Sequence, residues 1–246
     1  MNRHGIASEF LSRTKRGTEA LLASVTAARG EPERAGYLAA GVAAGIARGV
    51  GRSCASTPLR LILPPLLAGT VLRSTRAPRD KVVLLAGLGA GWVGETEKCR
   101  TQFQPSALGI AAVAGQHLAY ATSLMRRGAR LSRVSAGSRL VVWVSGVGVA
   151  AYRRKGGVPL VPAAATAGLL AATTSALAED RALQNGPVTR QGVDHGANLV
   201  LASEGLTLVR AVVGPRQGVA GQALDAGITV SAVIGHLLLV DALMRG

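Results

Sequence analysis

Ionisable side chains that interrupt or end apolar stretches are the first candidates for chemistry in this sequence. Glu95 ends one apolar run, Glu204 lies inside another, and His117 and His236 lie within two more. Charged groups are costly inside a membrane or a core and are commonly functional there. Carboxyl and imidazole groups are also the usual participants in general acid–base catalysis. These four residues therefore define a candidate acid–base site.

Each of these residues also has a structural interpretation. Glu95 could be an interfacial acid in contact with water, and Glu204 could be paired with an Arg or His for packing alone. The two histidines could be hydrogen-bonded packing residues, and the neighbouring Gln116 could bridge two helices. No H-x-x-x-H or similar metal-ligand spacing is present, so we predict no metal and no cofactor.

The elements that carry these residues are predicted to be membrane-spanning helices. Residues of the AVILMFWYC set make up 48% of the chain, 32 glycines add to them, and mean hydropathy is +0.32. This apolar content is too large for one soluble core. Long charge-free runs, such as Thr101 to Met125 and Gly156 to Ala178, match the roughly 20 residues that a spanning helix needs. No run alternates as a strand would.

The predicted fold class is therefore all-α, a polytopic transmembrane bundle of about eight helices. Basic residues bound most spans, and the polar stretch from Glu95 to Arg100 is interpreted as a loop after the third span. Arg60 and Lys98 are counted among the loop charges. The eight spans are centred near Ala43, Leu66, Gly87, Gly115, Val147, Gly168, Ala202 and Val233.

Charge placement predicts the orientation and the domain division. Residues 1–34 form a polar, basic segment without the apolar core of a signal peptide, and residues 35–246 form the transmembrane domain. Basic residues are more numerous in this segment and in the loops after spans two and four, although Arg153, Arg154 and Lys155 fall on the other side. The bias predicts a multi-pass protein of the cell membrane with a cytoplasmic N-terminus.

Two other interpretations of the sequence are weaker. The net charge of +15 raises nucleic acid as a partner, but the charges border apolar runs and aromatic residues make up only 3% of the chain, so we predict no nucleic-acid binding. Gly89-Ala-Gly91-Trp-Val-Gly94 matches G-x-G-x-x-G, but no helix of a soluble fold begins there.

Gly41, Gly45 and Gly49 share one helix face, and we predict that this face packs within the chain rather than in a dimer.

Five stretches, in their order along the chain, resemble the YhhN-like membrane proteins, the lysoplasmalogenase family. The resemblance runs from Thr57 to Leu243. The stretches are Thr57-Pro58-Leu59 followed by Pro64, then Leu84 to Glu95, Gly115 to Tyr120, Leu199 to Leu206, and Ala232 to Leu238. The resemblance implies hydrolysis of the vinyl ether bond of lysoplasmalogens, giving a fatty aldehyde and a glycerophospho-head-group.

The sequence departs from the family pattern at several positions. Glu95 and Glu204 replace aspartates, so each carboxylate lies one methylene further out. Thr57 replaces a common lysine, for which Arg60 is a candidate substitute, and His236 replaces a common glutamine.

The resemblance implies roles for seven residues, and we expect Glu95, His117 and Glu204 to point into one interior pocket. Glu204, kept neutral by apolar surroundings, would protonate the alkenyl carbon, and Glu95 would stabilise the cation or activate water. His117 and Tyr120 would orient water or phosphate. The predicted catalytic residues are Glu95, Glu204 and His117, and the predicted substrate-binding residues are Tyr120, Gln116, His236 and Arg60.

The expected partners are a lysophospholipid or another ether lipid, together with membrane lipids. The oligomeric state stays open. The alternative function is a non-catalytic membrane protein with the same fold, such as a small transporter or a lipid-binding factor. No clear repeat relates the two halves, as many transporters would require.

Overall fold

The computed structural model describes residues 3–152, 159–213 and 218–245, without the side chains of residues 3–11 and 13. Throughout these residues the regular structure is helical, and no strand is formed. Arg153, Arg154 and Lys155 of the orientation argument lie outside the described residues, as do the side chains of Arg3 and Arg13. The α-helices are α1 Arg3–Ala27, α2 Pro32–Gly49, α3 Ser53–Arg73, α4 Pro78–Arg100, α5 Ala107–Arg126, α6 Arg133–Tyr152, α7 Leu160–Ala178, α8 Arg181–Gln184, α9 Val193–Val213 and α10 Val219–Arg245.

The eight predicted spans correspond to α2–α7, α9 and α10, which confirms the all-helical transmembrane class. Five segments in the described part of the chain are long and apolar enough to cross a membrane: α3, α6, α7, Arg190–Val213 and α10. The others, α2, α4 and α5, have comparable lengths but a lower mean hydropathy. In α4 the polar residues include Glu95 and Lys98, which face the protein interior.

Seven of the long helices form a closed ring. In order around the ring, α2 packs on α3, α3 on α4, α4 on α5, α5 on α7, α7 on α9, α9 on α10, and α10 on α2. Helix α6 lies outside the ring against α7. Its many exposed valines, such as Val141 and Val144, suit a surface that faces lipid.

Local sequence signals begin these helices where the structure has them. Pro32 and Pro78 occupy the first turn of α2 and α4, where the missing N–H costs no helical hydrogen bond. Ser106 caps α5, because its Oγ accepts a hydrogen bond from the Gly109 amide at 3.0 Å.

Small residues allow the closest helix contacts. The predicted Gly41, Gly45 and Gly49 face packs against α10 of the same chain, which confirms the intramolecular interpretation. A Cβ added at Gly41 would lie 2.5 Å from Val233 Cγ1. Glycine in the G-x-G-x-x-G sequence also permits close helix packing, since a Cβ at Gly91 would lie 2.3 Å from Nε2 of Gln116 on α5.

The polar N-terminal segment is mostly the helix α1. It packs against the 3-10 turn Arg190–Gly192 and against α10. Ser24 on α1 and Arg34 at the start of α2 both hydrogen-bond to Asp241 near the end of α10, and all three are buried. These contacts tie the segment to one end of the bundle, while its cytoplasmic placement stays a prediction.

Candidate active site

A polar cavity of about 40 Å³ lies inside the helix ring. It is bordered by α2, α3, α4, α5, α9 and α10, and it lies towards the end of the bundle where α4 ends. Five residues predicted from the sequence are on its wall: Arg60, Glu95, Gln116, Glu204 and His236. Residues that the sequence analysis did not single out complete the wall, among them Tyr37, Lys98, Val113 and Thr229.

Four charged side chains form a continuous chain of ion pairs across this cavity. Arg60 Nη2 lies 2.5 Å from Glu95 Oε2. Lys98 Nζ lies 3.4 Å from Glu95 Oε1 and donates a 2.7 Å hydrogen bond to Glu204 Oε1. Two cations thus alternate with two carboxylates, and the four formal charges sum to zero. This balance removes much of the cost of holding charge inside a membrane protein.

Three helices position the four charges. Glu95 and Lys98 lie one turn apart on α4, so they share a helix face. Arg60 comes from the second turn of α3. Glu204 comes from α9, 106 residues from Lys98 in the sequence.

Lys98 is the main residue that the sequence analysis missed. The stretch after Glu95 was predicted to be a loop, but α4 continues to Arg100. The prediction that Lys98 and Arg60 are loop charges is therefore wrong; their side chains are only 14% and 3% exposed. The signal that could have found Lys98 is its i,i+3 spacing from Glu95.

The surroundings of Glu204 also differ from the expectation. We expected a carboxyl among apolar groups, but the Lys98 ammonium is 2.7 Å from it. An ammonium at this distance stabilises a negative charge. The assumption of purely apolar surroundings is therefore wrong, and any proton that Glu204 delivers must be shared with Lys98.

Arg60 has hydrogen-bonding capacity to spare. Its Nη1 is buried and has no hydrogen-bond partner among the described residues, although Nη2 binds Glu95. The guanidinium also lies 4.9 Å from the centre of the Phe103 ring, over which Arg48 stacks as well, at 5.3 Å. A buried guanidinium with a free N–H is well suited to bind an anionic oxygen of a ligand.

Phe103 is held in an unusual backbone conformation. Both Gln102 and Phe103 have positive φ angles, 52° and 67°, which side chains other than glycine adopt infrequently. The Phe103 ring is nevertheless buried. The loop between α4 and α5 therefore places this ring beneath the two arginines, and its cation–π contacts help to offset the backbone strain.

The histidines take different positions. His236 lies on the cavity wall, and its Nδ1 is 2.9 Å from the Tyr120 hydroxyl. Tyr120 is fully buried behind it. His117 is also buried, but it is not among the residues that line the cavity, and neither of its ring nitrogens has a partner among the described residues. The expectation that His117 shares one pocket with the two glutamates is therefore wrong.

No group of three or more His, Cys, Asp or Glu residues in the described part of the chain is arranged to hold a metal ion. The two carboxylates of the cavity already neutralise Arg60 and Lys98. What this arrangement offers is proton transfer between neighbouring charged groups and binding of an anion at Arg60.

Comparison with known protein families identifies the relationship. The model of the YhhN family matches residues 56–243, from the first turn of α3 to the last turn of α10. This chain belongs to the YhhN family. The match spans all four charged residues of the cavity and confirms the resemblance found in the sequence. Neither the curated proteins nor the solved structures contain a match to the chain.

The YhhN region leaves out α1, all of α2 and the first three residues of α3. Tyr37 on α2 nevertheless contributes to the cavity wall, and its hydroxyl donates a 2.9 Å hydrogen bond to the carbonyl oxygen of Val233. The N-terminal part of this YhhN protein therefore completes the cavity that the family region begins.

Proposed function

We propose that this YhhN protein is a membrane-embedded hydrolase that cleaves the vinyl ether bond of lysoplasmalogens. The observation that carries the proposal is the Glu95–Lys98–Glu204 cluster in a cavity inside a transmembrane bundle. Vinyl ether hydrolysis needs an acid, a base and protection of a cationic intermediate, and this cluster contains groups suited to each.

The double-bond carbon that is bonded to oxygen is the ether carbon. In the first step, the other carbon of the double bond takes a proton from Glu204. The proton originates on Lys98 and passes along the 2.7 Å hydrogen bond. A lipid in the cavity displaces water, and a dry cavity lowers the cost of converting this ion pair to a neutral amine and carboxylic acid. The carbon–carbon double bond is lost, and an oxocarbenium ion forms at the ether carbon.

In the second step, water attacks the ether carbon and loses a proton to Glu95, giving a hemiacetal. The Glu95 and Glu204 carboxylates both lie near the intermediate and stabilise its positive charge. In the third step, the protonated Glu95 gives its proton to the glycerol oxygen as the carbon–oxygen bond breaks. The hemiacetal hydroxyl returns a proton to Glu204, which passes it back to Lys98 along the same hydrogen bond, and the aldehyde forms. All groups regain their starting protonation.

Arg60 is the proposed contact for the phosphate of the head-group. The unpartnered Nη1 of Arg60 supplies one hydrogen bond to a phosphate oxygen. The ion pair with Glu95 holds the Arg60 guanidinium beside the proposed reaction site. His236, which contacts the Tyr120 hydroxyl, and Gln116 lie on the same wall, and their proposed role is to bind glycerol hydroxyl groups.

The test is aldehyde release by the purified full-length protein. Substrates are a lysoplasmalogen and two matched lipids, one with a saturated ether bond and one with an ester bond. We expect aldehyde from the lysoplasmalogen alone, because only the vinyl ether can be protonated on carbon. No aldehyde from any lysoplasmalogen tested in detergent and in vesicles would refute the hydrolase and favour a non-catalytic lipid-binding protein.

Glu204→Gln keeps the size of the side chain but carries no acidic proton. We expect this variant to lose about 100- to 10,000-fold in kcat, the usual contribution of general acid catalysis. The control is Glu33→Gln, which removes a carboxylate from another interhelical ion pair, with Arg73, away from the cavity. Equal activity of the two variants would show that Glu204 has no catalytic role.

A further inference from the structure

A second cavity adjoins the polar one. It has a volume of about 150 Å³ and lies between α5, α6, α7 and α9, at the end of the bundle where α4 ends. The two cavities share three wall residues: Lys98, Val113 and Glu204. The Lys98–Glu204 ion pair is therefore the boundary between them.

The wall of this second cavity is mostly hydrocarbon. Leu201 and Leu208 of α9 face Ala164 of α7 and Trp143 of α6 across it. The polar atom of the Trp143 indole is already used, because Nε1 donates to the carbonyl oxygens of Ala164 and Ala165, both at 3.1 Å. The indole therefore presents carbon atoms to the cavity.

Two polar residues on the wall of the second cavity, Glu97 and Ser106, are already engaged in hydrogen bonds. Ser106 Oγ donates to Glu97 Oε2 at 2.6 Å, and Arg100 binds the same carboxylate at 2.8 Å. An entering molecule therefore meets hydrocarbon along most of its path and charge at the Lys98–Glu204 boundary.

We infer that this second cavity, the chain cleft, binds the single hydrocarbon chain of the lysolipid. The inference rests on the proposed function for the position of the bond that is cleaved. In a lysoplasmalogen the vinyl ether joins an apolar chain to a polar glycerophospho end. Binding the chain in the cleft and the phosphate at Arg60 places that junction beside Lys98 and Glu204, where the acid is proposed.

The chain offers a matched pair of positions for a test. Gly205 lines the cleft, and a Cβ added there meets nothing within 4 Å, so a larger side chain fits by projecting into the open space. Gly89 on α4 is equally open but lines neither cavity. Gly205→Leu and Gly89→Leu both replace an exposed helical glycine. Because only Gly205 lines the cleft, only the first substitution should obstruct it.

The probe is a lysophospholipid with a saturated ether-linked chain and a photoreactive diazirine at the end of that chain. This lipid cannot be hydrolysed as a vinyl ether, so labelling reports binding alone. On the full-length protein we expect saturable labelling of peptides from the cleft walls of α6, α7 and α9. Gly205→Leu should reduce it by about tenfold or more, because each methylene group excluded from an apolar site weakens binding roughly fourfold. Gly89→Leu should label like the wild type.

Non-saturable labelling, or labelling centred on the exposed Val141 and Val144 side of α6, would mean ordinary contact with bulk lipid and would overturn the cleft. Equal labelling of the two glycine variants would overturn it as well. Saturable labelling of the cleft without aldehyde release from any lysoplasmalogen would refute the proposed hydrolase but not the binding of a hydrocarbon chain in the cleft. Aldehyde release with unchanged KM in Gly205→Leu would instead refute the cleft and leave the hydrolase intact.

Discussion

Lys98 provides the sharpest test of the proposed mechanism, because two substitutions separate its charge from its proton. Lys98→Met removes the ammonium, and Lys98→Arg keeps a positive charge between the two carboxylates. A guanidinium does not give up its proton in proteins. A purely structural Lys98 should therefore be replaceable by arginine, whereas a proton-donating Lys98 should not.

The expected loss of stability follows from the two ion pairs. With an effective dielectric constant of about 20, N–O separations of 2.7 and 3.4 Å correspond to gross attractions of about 6 and 5 kcal/mol. Desolvation offsets much of this energy, and removing one partner of a buried pair typically costs about 3–5 kcal/mol. Because Lys98 and Glu204 are 14% and 19% exposed, we expect Lys98→Met to cost about 3 kcal/mol.

Thermal unfolding in detergent measures this cost. For a chain of this size, about 3 kcal/mol corresponds to a fall in Tm of roughly 6–12 °C. We expect Lys98→Arg to unfold within a few degrees of the wild type yet to lose about 100- to 10,000-fold in kcat for aldehyde release. Wild-type kcat in Lys98→Arg would refute the proton relay, and an unchanged Tm in Lys98→Met would refute the energetic argument.

Three further predictions concern neighbouring residues. His117→Leu should leave aldehyde release intact. It should raise the free energy of unfolding by about 1–3 kcal/mol, since both ring nitrogens of His117 lack partners among the described residues. A stable but inactive variant would restore the catalytic role predicted from the sequence. His236→Gln should retain activity within about tenfold, because an amide can replace the hydrogen bond to Tyr120, and His236→Leu should lose more; equal kinetics of the two variants would contradict this role. Gly41→Ala should destabilise the protein by about 1–3 kcal/mol through overpacking against Val233, whereas Gly49→Ala, whose Cβ would lie 3.9 Å from Ala226, should not; equal Tm values would contradict the α2–α10 contact.

The sequence alone was sufficient for the helical architecture. Charge-free runs of spanning length are local features, and each of the eight predicted spans corresponds to a long helix. The spacing of Gly41, Gly45 and Gly49 likewise identified a packing face, because small residues four positions apart lie on one side of a helix. Carboxylates and histidines inside apolar runs were conspicuous for the same local reason.

The contacts among these residues required the tertiary structure. Glu95 meets Arg60 from 35 residues away, and Glu204 meets Lys98 from 106 residues away; hydropathy along the chain carries no information about such pairings. The sequence predicts a loop at Lys98 because charge usually ends a membrane span. In the structure Arg60 of α3 pairs with Glu95 and Glu204 of α9 pairs with Lys98, and these pairs allow α4 to continue through the polar region. The sequence predicts His117 in the cavity because this residue is polar and lies in the middle of a span, but the rotation of α5 turns Gln116 to the cavity wall instead. The closed ring, with α6 outside it, decides which helix faces meet, and that arrangement creates both the polar cavity and the chain cleft.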